Sequence, residues 1–442
     1  MGTLLGRMSG RSLVAGLVGA VAVLGLAVAL LPLGSGGASA SASASLPGPS
    51  ECGPAWVAAW RTSPEAVPDP GLAGRTLRML VRPQATGSEL RIRVSNRFGA
   101  TPLRIDSASA GTAGAGAALV PGSVRPLTFG GAAGVEVPPG AELESDSAPF
   151  VAERGRSVAI SLHLPDAPPA QVSGHPVALQ TSYVSGPGDA GDVVDAVSGA
   201  AYTRPVGSWF VLTGIDVRAP RAENAVVLVG DSITDGVGSD PDRDDRWSDA
   251  LAARLTGGDT MPVLNAGISS NQLVSGVVGP APVARLADDV ADVPGARDVV
   301  LHIGTNDLAA GVDAGRIVSA MVDYADQVRA GGRRIFLTTI TPSTAGDHGS
   351  AWADLQRDAV NTWIRTDGPA HADGVFDFAA AVADPGDPHR LAPAYDAGDG
   401  LHLSAAGYRA LAGAVDPSRL SGSPCLADPG PDSAKVVVSA PR

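Results

Sequence analysis

The chain has 442 residues, with 32 Lys and Arg against 45 Asp and Glu, for a formal charge of −13. It has no basic run able to neutralise a row of phosphates, so nucleic acid and anionic membrane surfaces are poor partners for it. Gly 56 and Pro 36 beside 4% aromatics point to many loops and short strands, and no G-X-Y period is present, which excludes a collagen.

In chain order, Arg7 and Arg11 precede an apolar run over 13–33, and residues 38–44 alternate Ala and Ser as a cleavage site of the A-x-A kind. Residues 1–45 therefore read as a signal peptide and the mature protein as secreted. The run is long enough that an uncleaved membrane anchor is the alternative reading. Only Cys52 and Cys425 are present, one on each side of the remaining chain, and in an oxidising compartment they are expected to pair. Such a bridge closes a very long loop, for which the chain-entropy model gives about 5 kcal/mol.

Residues 52–217 read as an all-β sandwich or jelly-roll domain. Leu90, Ile92 and Val94 alternate with Arg91, Arg93 and Ser95; Val158, Ile160, Leu162 and Leu164 alternate likewise and stop at Pro165. Further strands are expected over 76–81, 135–137 and 209–217, and His163 falls on the face expected to meet solvent. After a polar stretch over 218–224 the texture changes. Apolar runs at 225–229, 263–264, 299–303, 335–340 and 375–376 alternate with helical patterns at 247–255, 313–330, 351–365 and 404–415, the signature of a parallel sheet flanked by helices over 224–418. Ser404 reads as the N-cap of the last helix. Residues 419–442 form a Pro/Gly/Ser tail that holds Cys425.

In open α/β sheets chemistry gathers beyond the carboxyl ends of the strands. There the sequence places Gly230-Asp231-Ser232-Ile233-Thr234-Asp235-Gly236, then Asn265-Ala266-Gly267, then Gly304-Thr305-Asn306-Asp307, and before the final helix Asp399-Gly400-Leu401-His402. A serine after a strand-end glycine suits an exposed nucleophile, Gly267 lets backbone approach a ligand, and the Asn306 amide can donate to an oxyanion. Asp399-x-x-His402 is the only D-x-x-H in the chain; that spacing lets a carboxylate fix one imidazole nitrogen and turn the other toward a serine. Asp396 is a second carboxylate able to share that duty. Taken singly, each motif also reads as an ordinary turn. His302 lies in an apolar strand and reads as a core residue, while His348, His371 and His389 lie in polar loops. No G-x-S-x-G elbow occurs, which excludes the ordinary lipase elbow. The acidic stretch Asp240-Pro241-Asp242-Arg243-Asp244-Asp245 lacks calcium-loop spacing and reads as a solvated loop, so no metal site is expected.

Taken together and in this order, the four blocks resemble those of the SGNH hydrolases, also called GDSL esterases and lipases, over about residues 224–418. The stretches at 56–60, 90–98 and 214–216 resemble the N-terminal β-domain of a secreted actinobacterial branch similar to acetylxylan-esterase-like members. The resemblance implies a flavodoxin-like parallel sheet preceded by the β-sandwich. It makes Ser232 the nucleophile, His402 its base and acid, and Asp399 the group orienting His402. The Ser232 N–H, the Gly267 N–H and the Asn306 side chain become the oxyanion hole. No metal or organic cofactor is implied, and the partner is a small-molecule or polysaccharide ester. Few aromatics and no apolar lid favour short acyl esters of carbohydrates. The alternatives are an extracellular lipase or phospholipase, or a carbohydrate-binding protein whose sandwich carries the function.

Overall fold

The computed structural model describes residues 53–186, 191–256 and 260–422. Cys52, Cys425 and the N-terminal apolar run lie outside the described residues, as do the pairing and export expectations that rest on them.

The strand alternation seen around Leu90 is real, and both of its faces are used. Gly87–Ser95 lies between Leu212–Ala219 and Ala148–Ala152, with Ala55–Arg61 completing the path and Glu142–Glu144 added at the side, all antiparallel. A second antiparallel sheet runs Arg204–Val206, Ser182–Val184, Arg75–Val81, Val158–Leu164, Ser107–Thr112, Arg125–Leu127. Leu90, Ile92, Val94, Ile215 and Val217 from the first sheet share one core with Leu77, Met79, Val81, Ile160 and Leu162 from the second. This is the inner layer of a sandwich, and each such side chain contributes about 1.5–3 kcal/mol. On the opposite face Arg91 reaches Glu144 and Asp216 at 3.2 and 3.1 Å, and its guanidinium lies over the Trp56 ring.

Two expectations for this region change. His163 is buried, because residues 191–196 cover the outer face of its sheet: Thr76 Oγ1 donates to Gly191 O at 3.0 Å and Ser109 Oγ to Val194 O at 2.5 Å. Strand alternation cannot reveal a covering loop. The strand expected over 209–217 is two strands, Trp209–Phe210 and Leu212–Ala219, broken where Val211 takes φ 68°. The break lets Trp209–Phe210 leave for a small sheet with Gln171–His175 and Glu65–Pro68.

From Ala225 onward the apolar runs form a five-stranded parallel sheet in the order Val263–Gly267, Ala225–Gly230, Ala296–His302, Arg334–Thr338, Gly374–Phe376. This 2-1-3-4-5 order is flavodoxin-like, with its switch point beside the first strand. Alternation sorts the side chains. Val227, Val229, Leu301 and Leu337 pack against the helices Ala314–Ala330 and Ala351–Thr366, whereas Val226, Leu228, Val300 and Phe336 pack against Trp247–Arg254 and Ala405–Ala414. Asp313, Ser350 and Ser404 cap three of these helices through their side chains, each worth about 1 kcal/mol.

Antiparallel and parallel regions belong to one compact unit. Ala58, on the strand Ala55–Arg61, faces the helical core while its neighbours Val57 and Ala59 face the sandwich core. Arg154 donates to the carbonyls of Met261, Ala252 and Leu255, which satisfies the C-terminal end of the helix Trp247–Arg254. The acidic stretch after Ser239 is not simply solvated. Asp242 accepts from Thr181 N and Oγ1, both at 2.6 Å, and Asp244 pairs with Arg82, so the loop is pinned to the sandwich by its charges.

Candidate active site

The first strand ends at Gly230, where an added Cβ would meet His302 O at 2.4 Å, so the close strand approach admits only glycine. Asp231 then accepts from Ile233 N at 3.0 Å and caps the single turn Ser232–Asp235, which presents Ser232 at its head. At that first position the N–H has no partner within the turn and can serve a ligand. Burial pushes the Asp231 carboxyl up to about 7; the Ile233 N–H counters this, and the Asp307 and Asp235 carboxylates reinforce it.

Across the cleft, Ser232 Oγ lies 2.9 Å from His402 Nε2, and His402 Nδ1 lies 2.6 Å from Asp399 Oδ2. A carboxylate only accepts, so Nδ1 holds the proton and Nε2 is free to take one from the serine hydroxyl. Asp399 Oδ1 also accepts the N–H groups of Leu401 and His402 at 2.9 and 2.8 Å. Against the cost of partial burial, the His402 ring and these N–H groups hold the Asp399 carboxyl down at about 2. The arm is open: the Asp399 side chain is 53% exposed and that of His402 16%. Asp396, the alternative partner, instead accepts from Gly398 N and Gly400 N at 2.7 and 3.1 Å and shapes the turn.

The third block places Asn306 on the short helix Thr305–Ala309, two residues past Gly304 at φ 127°. Asn306 Nδ2 donates to Asn271 O at 3.0 Å, which uses one of its two hydrogens. Asp307 is fully buried and accepts from Leu273 N and Val274 N at 2.8 and 2.9 Å, tying the third block to the segment after the second. Gly267 is placed differently from expectation. Its N–H donates to Asn265 Oδ1 at 2.9 Å, so its hydrogen is already engaged, and a Cβ there would meet Asp235 N at 2.3 Å. The glycine is required for packing against the turn Ser232–Asp235. The turn after it carries Ser270 at φ 62°, between two anchored residues. Of these, Ser269 donates to Asp235 Oδ2 through N and Oγ, and Asn271 accepts from Asn306.

Several residues that shape the site escaped the motif reading. Arg285 is almost fully buried and donates to Ala266 O at 2.7 Å, Asn271 Oδ1 at 3.2 Å, Ser63 Oγ at 3.0 Å and the Asp289 carboxylate. It thereby ties the second block to the sandwich. His175, also buried, bonds Asp235 Oδ1 at 2.9 Å and Ser63 O at 3.0 Å and stacks on Trp209. Burial alone would lower the His175 pKa, but the Asp235 carboxylate overcomes it and the pKa is raised. The only sequence hint to the Arg285–Asp289 pair was its spacing of four. His302 is buried as expected, bonds Thr338 Oγ1 at 2.8 Å, and is pushed by burial down to about 3. Trp60, Phe129, Phe150, Tyr202, Trp209 and Phe210 are buried, and Trp56, Phe98 and Tyr183 are partly so. Among the described residues of 53–217 no aromatic row stands free as a sugar platform.

Residues 228–410 match the model of the GDSL-like Lipase/Acylhydrolase family. No curated protein matches the chain. The chain is similar to a GDSL-like lipase from Bacteroides thetaiotaomicron, with 19% identity and a TM-score of 0.35 over 44% of this chain and 87% of that one. It is similar to a carbohydrate acetylesterase from Sinorhizobium meliloti, with 21% identity and a TM-score of 0.34 over 43% and 94%. It is likewise similar to an aryl esterase of M. smegmatis, with 21% identity and a TM-score of 0.34 over 43% and 95%. Residues 228–410 thus form a domain of the GDSL-like lipase/acylhydrolase family, and the chain is a carboxylic ester hydrolase.

Proposed function

We propose that the protein is an exported serine esterase that removes short acyl groups, acetyl first, from carbohydrate esters. The single observation that carries the catalytic part is the Ser232–His402–Asp399 relay at 2.9 and 2.6 Å. His402 Nε2 takes the Ser232 proton as Oγ attacks the ester carbonyl. The oxyanion that forms is held by the Ser232 N–H and the second hydrogen of Asn306 Nδ2. Collapse expels the alcohol, which takes the proton from His402, and water repeats the sequence on the acyl-enzyme to release the acid. Asp399 stays ionised throughout and stabilises the imidazolium. The residues that frame Asn306, namely Asn271, Gln272 and His348, are polar, which supports a hydroxyl-rich leaving group. Export rests on the N-terminal sequence pattern.

A second reading, a lipase, is favoured by exposed apolar side chains on the segments flanking Asn306: Val277 and Val278 on one, Trp352 and Leu355 on the other. Hydrolysis of p-nitrophenyl esters from acetate to palmitate, by the wild type and Ser232→Ala, separates the two. Preference for acetate with loss in the variant supports the proposal, and preference for palmitate replaces it with the lipase. Undiminished activity in the variant rejects the relay.

A further inference from the structure

The Asn306 carboxamide is held at both ends. Its nitrogen donates to Asn271 O, and its oxygen lies 3.1 Å from His348 Nε2. Asn271 O is a carbonyl and can only accept, so the amide nitrogen must face it and the amide oxygen must face His348; His348 therefore carries its proton on Nε2. We propose that His348 is a positioning residue for the oxyanion hole, locking the Asn306 amide so that its second N–H, not its oxygen, faces the reacting carbonyl.

A half-turn of the amide would present an oxygen lone pair to the growing negative charge, turning a donor into a repulsive group. Resisting it requires partners at both ends, and Asn271 alone supplies one. His348 is itself held. It lies on the short turn Gly346–Gly349, whose Gly349 N–H donates to Ala345 O at 3.1 Å, and its own carbonyl accepts from Arg357. Burial, with the nearby His402 and Arg357, lowers its pKa against the opposing pull of the Ala345 backbone and Asp347, so the ring keeps one proton at neutral pH; the bond to Asn306 Oδ1 assigns that proton to Nε2. The residue acts through Asn306 and need not touch the substrate.

This inference rests on Ser232 being the nucleophile and Asn306 an oxyanion donor, and a double-mutant cycle tests each layer separately. With p-nitrophenyl acetate, Asn306→Ala should lower kcat by roughly 10²–10³-fold and His348→Ala by about 10- to 50-fold, with KM within about twofold in both. His348→Gln, whose Nε2 can donate from a similar place, should recover most of the loss. In the Asn306→Ala background His348→Ala should cost nothing further. A His348→Ala enzyme with wild-type kcat overturns the proposal, as does an undiminished loss in the Asn306→Ala background or a His348→Gln variant as impaired as Ala. If Ser232→Ala abolishes activity but Asn306→Ala does not, the oxyanion assignment fails; if Ser232→Ala remains active, the esterase mechanism fails.

Discussion

The two sides of the cleft are built differently. The base arm is a single surface turn, Asp399 to His402, shaped by Asp396 and fastened by Thr344 N and Ser343 Oγ to Gly400 O at 2.8 and 2.9 Å. The oxyanion wall is rooted in buried charge: Arg285 joins the second block to Ser63, and Asp235 joins the nucleophile turn to His175, both partners coming from the sandwich. On the proposed mechanism the arm is joined to the fold by few buried contacts, whereas the wall would couple catalysis to stability and to a region that contributes no reacting group.

The sharpest contrast comes from the arm. His402→Ala should lower kcat/KM on the order of 10⁴-fold or more. Its melting temperature should stay close to wild type, because the side chain is partly exposed; a large drop would show that the arm also holds the fold together. On the wall, Arg285→Ala strands Asp289 and two carbonyls, and should cost about 3–5 kcal/mol in urea unfolding while also lowering kcat. An unaltered midpoint would show that the buried network is not holding the wall.

Asp231 gives an opposite sign. Its folded pKa, about 7, lies above the ordinary 3.8, so the native state favours the protonated form and stability falls as pH rises from near 4 through 7. Asp231→Asn keeps the capping oxygen and removes the charge, so it should stabilise by roughly 2–4 kcal/mol at pH 8 and by little at pH 4. Equal effects at both pH values would contradict the burial argument. The smallest effect expected is from Ser63→Ala, about 1 kcal/mol, with a kcat decrease of a fewfold read at the active site of the other sheet.

What was legible in the sequence divides along the same line. The relay could be read because Asp399 and His402 are three apart on one turn, and Ser232 follows a strand-end glycine. Strands such as Ala225–Gly230 could be read because their apolar runs end at glycine. The wall was opaque because its partners are far apart in sequence: Ser63 and Arg285, His175 and Asp235, Asn306 and His348. Each looks like an ordinary polar residue until the chain folds. Gly267 is ambiguous for a related reason, since a glycine beside a site is called for equally by a donated N–H and by close packing, and here the Asp235 backbone occupies the space a Cβ would fill while the N–H bonds Asn265 Oδ1. His163 misled because two-residue periodicity reports one sheet and cannot see the segment laid over it.

The most direct measurement is reaction of the protein with a fluorophosphonate, followed by mass mapping of the modified peptide. A single adduct on Ser232, with ester hydrolysis lost in proportion and no adduct in His402→Ala, is the predicted result. An adduct on another residue, or hydrolysis that persists once Ser232 is fully modified, would exclude Ser232 as the nucleophile.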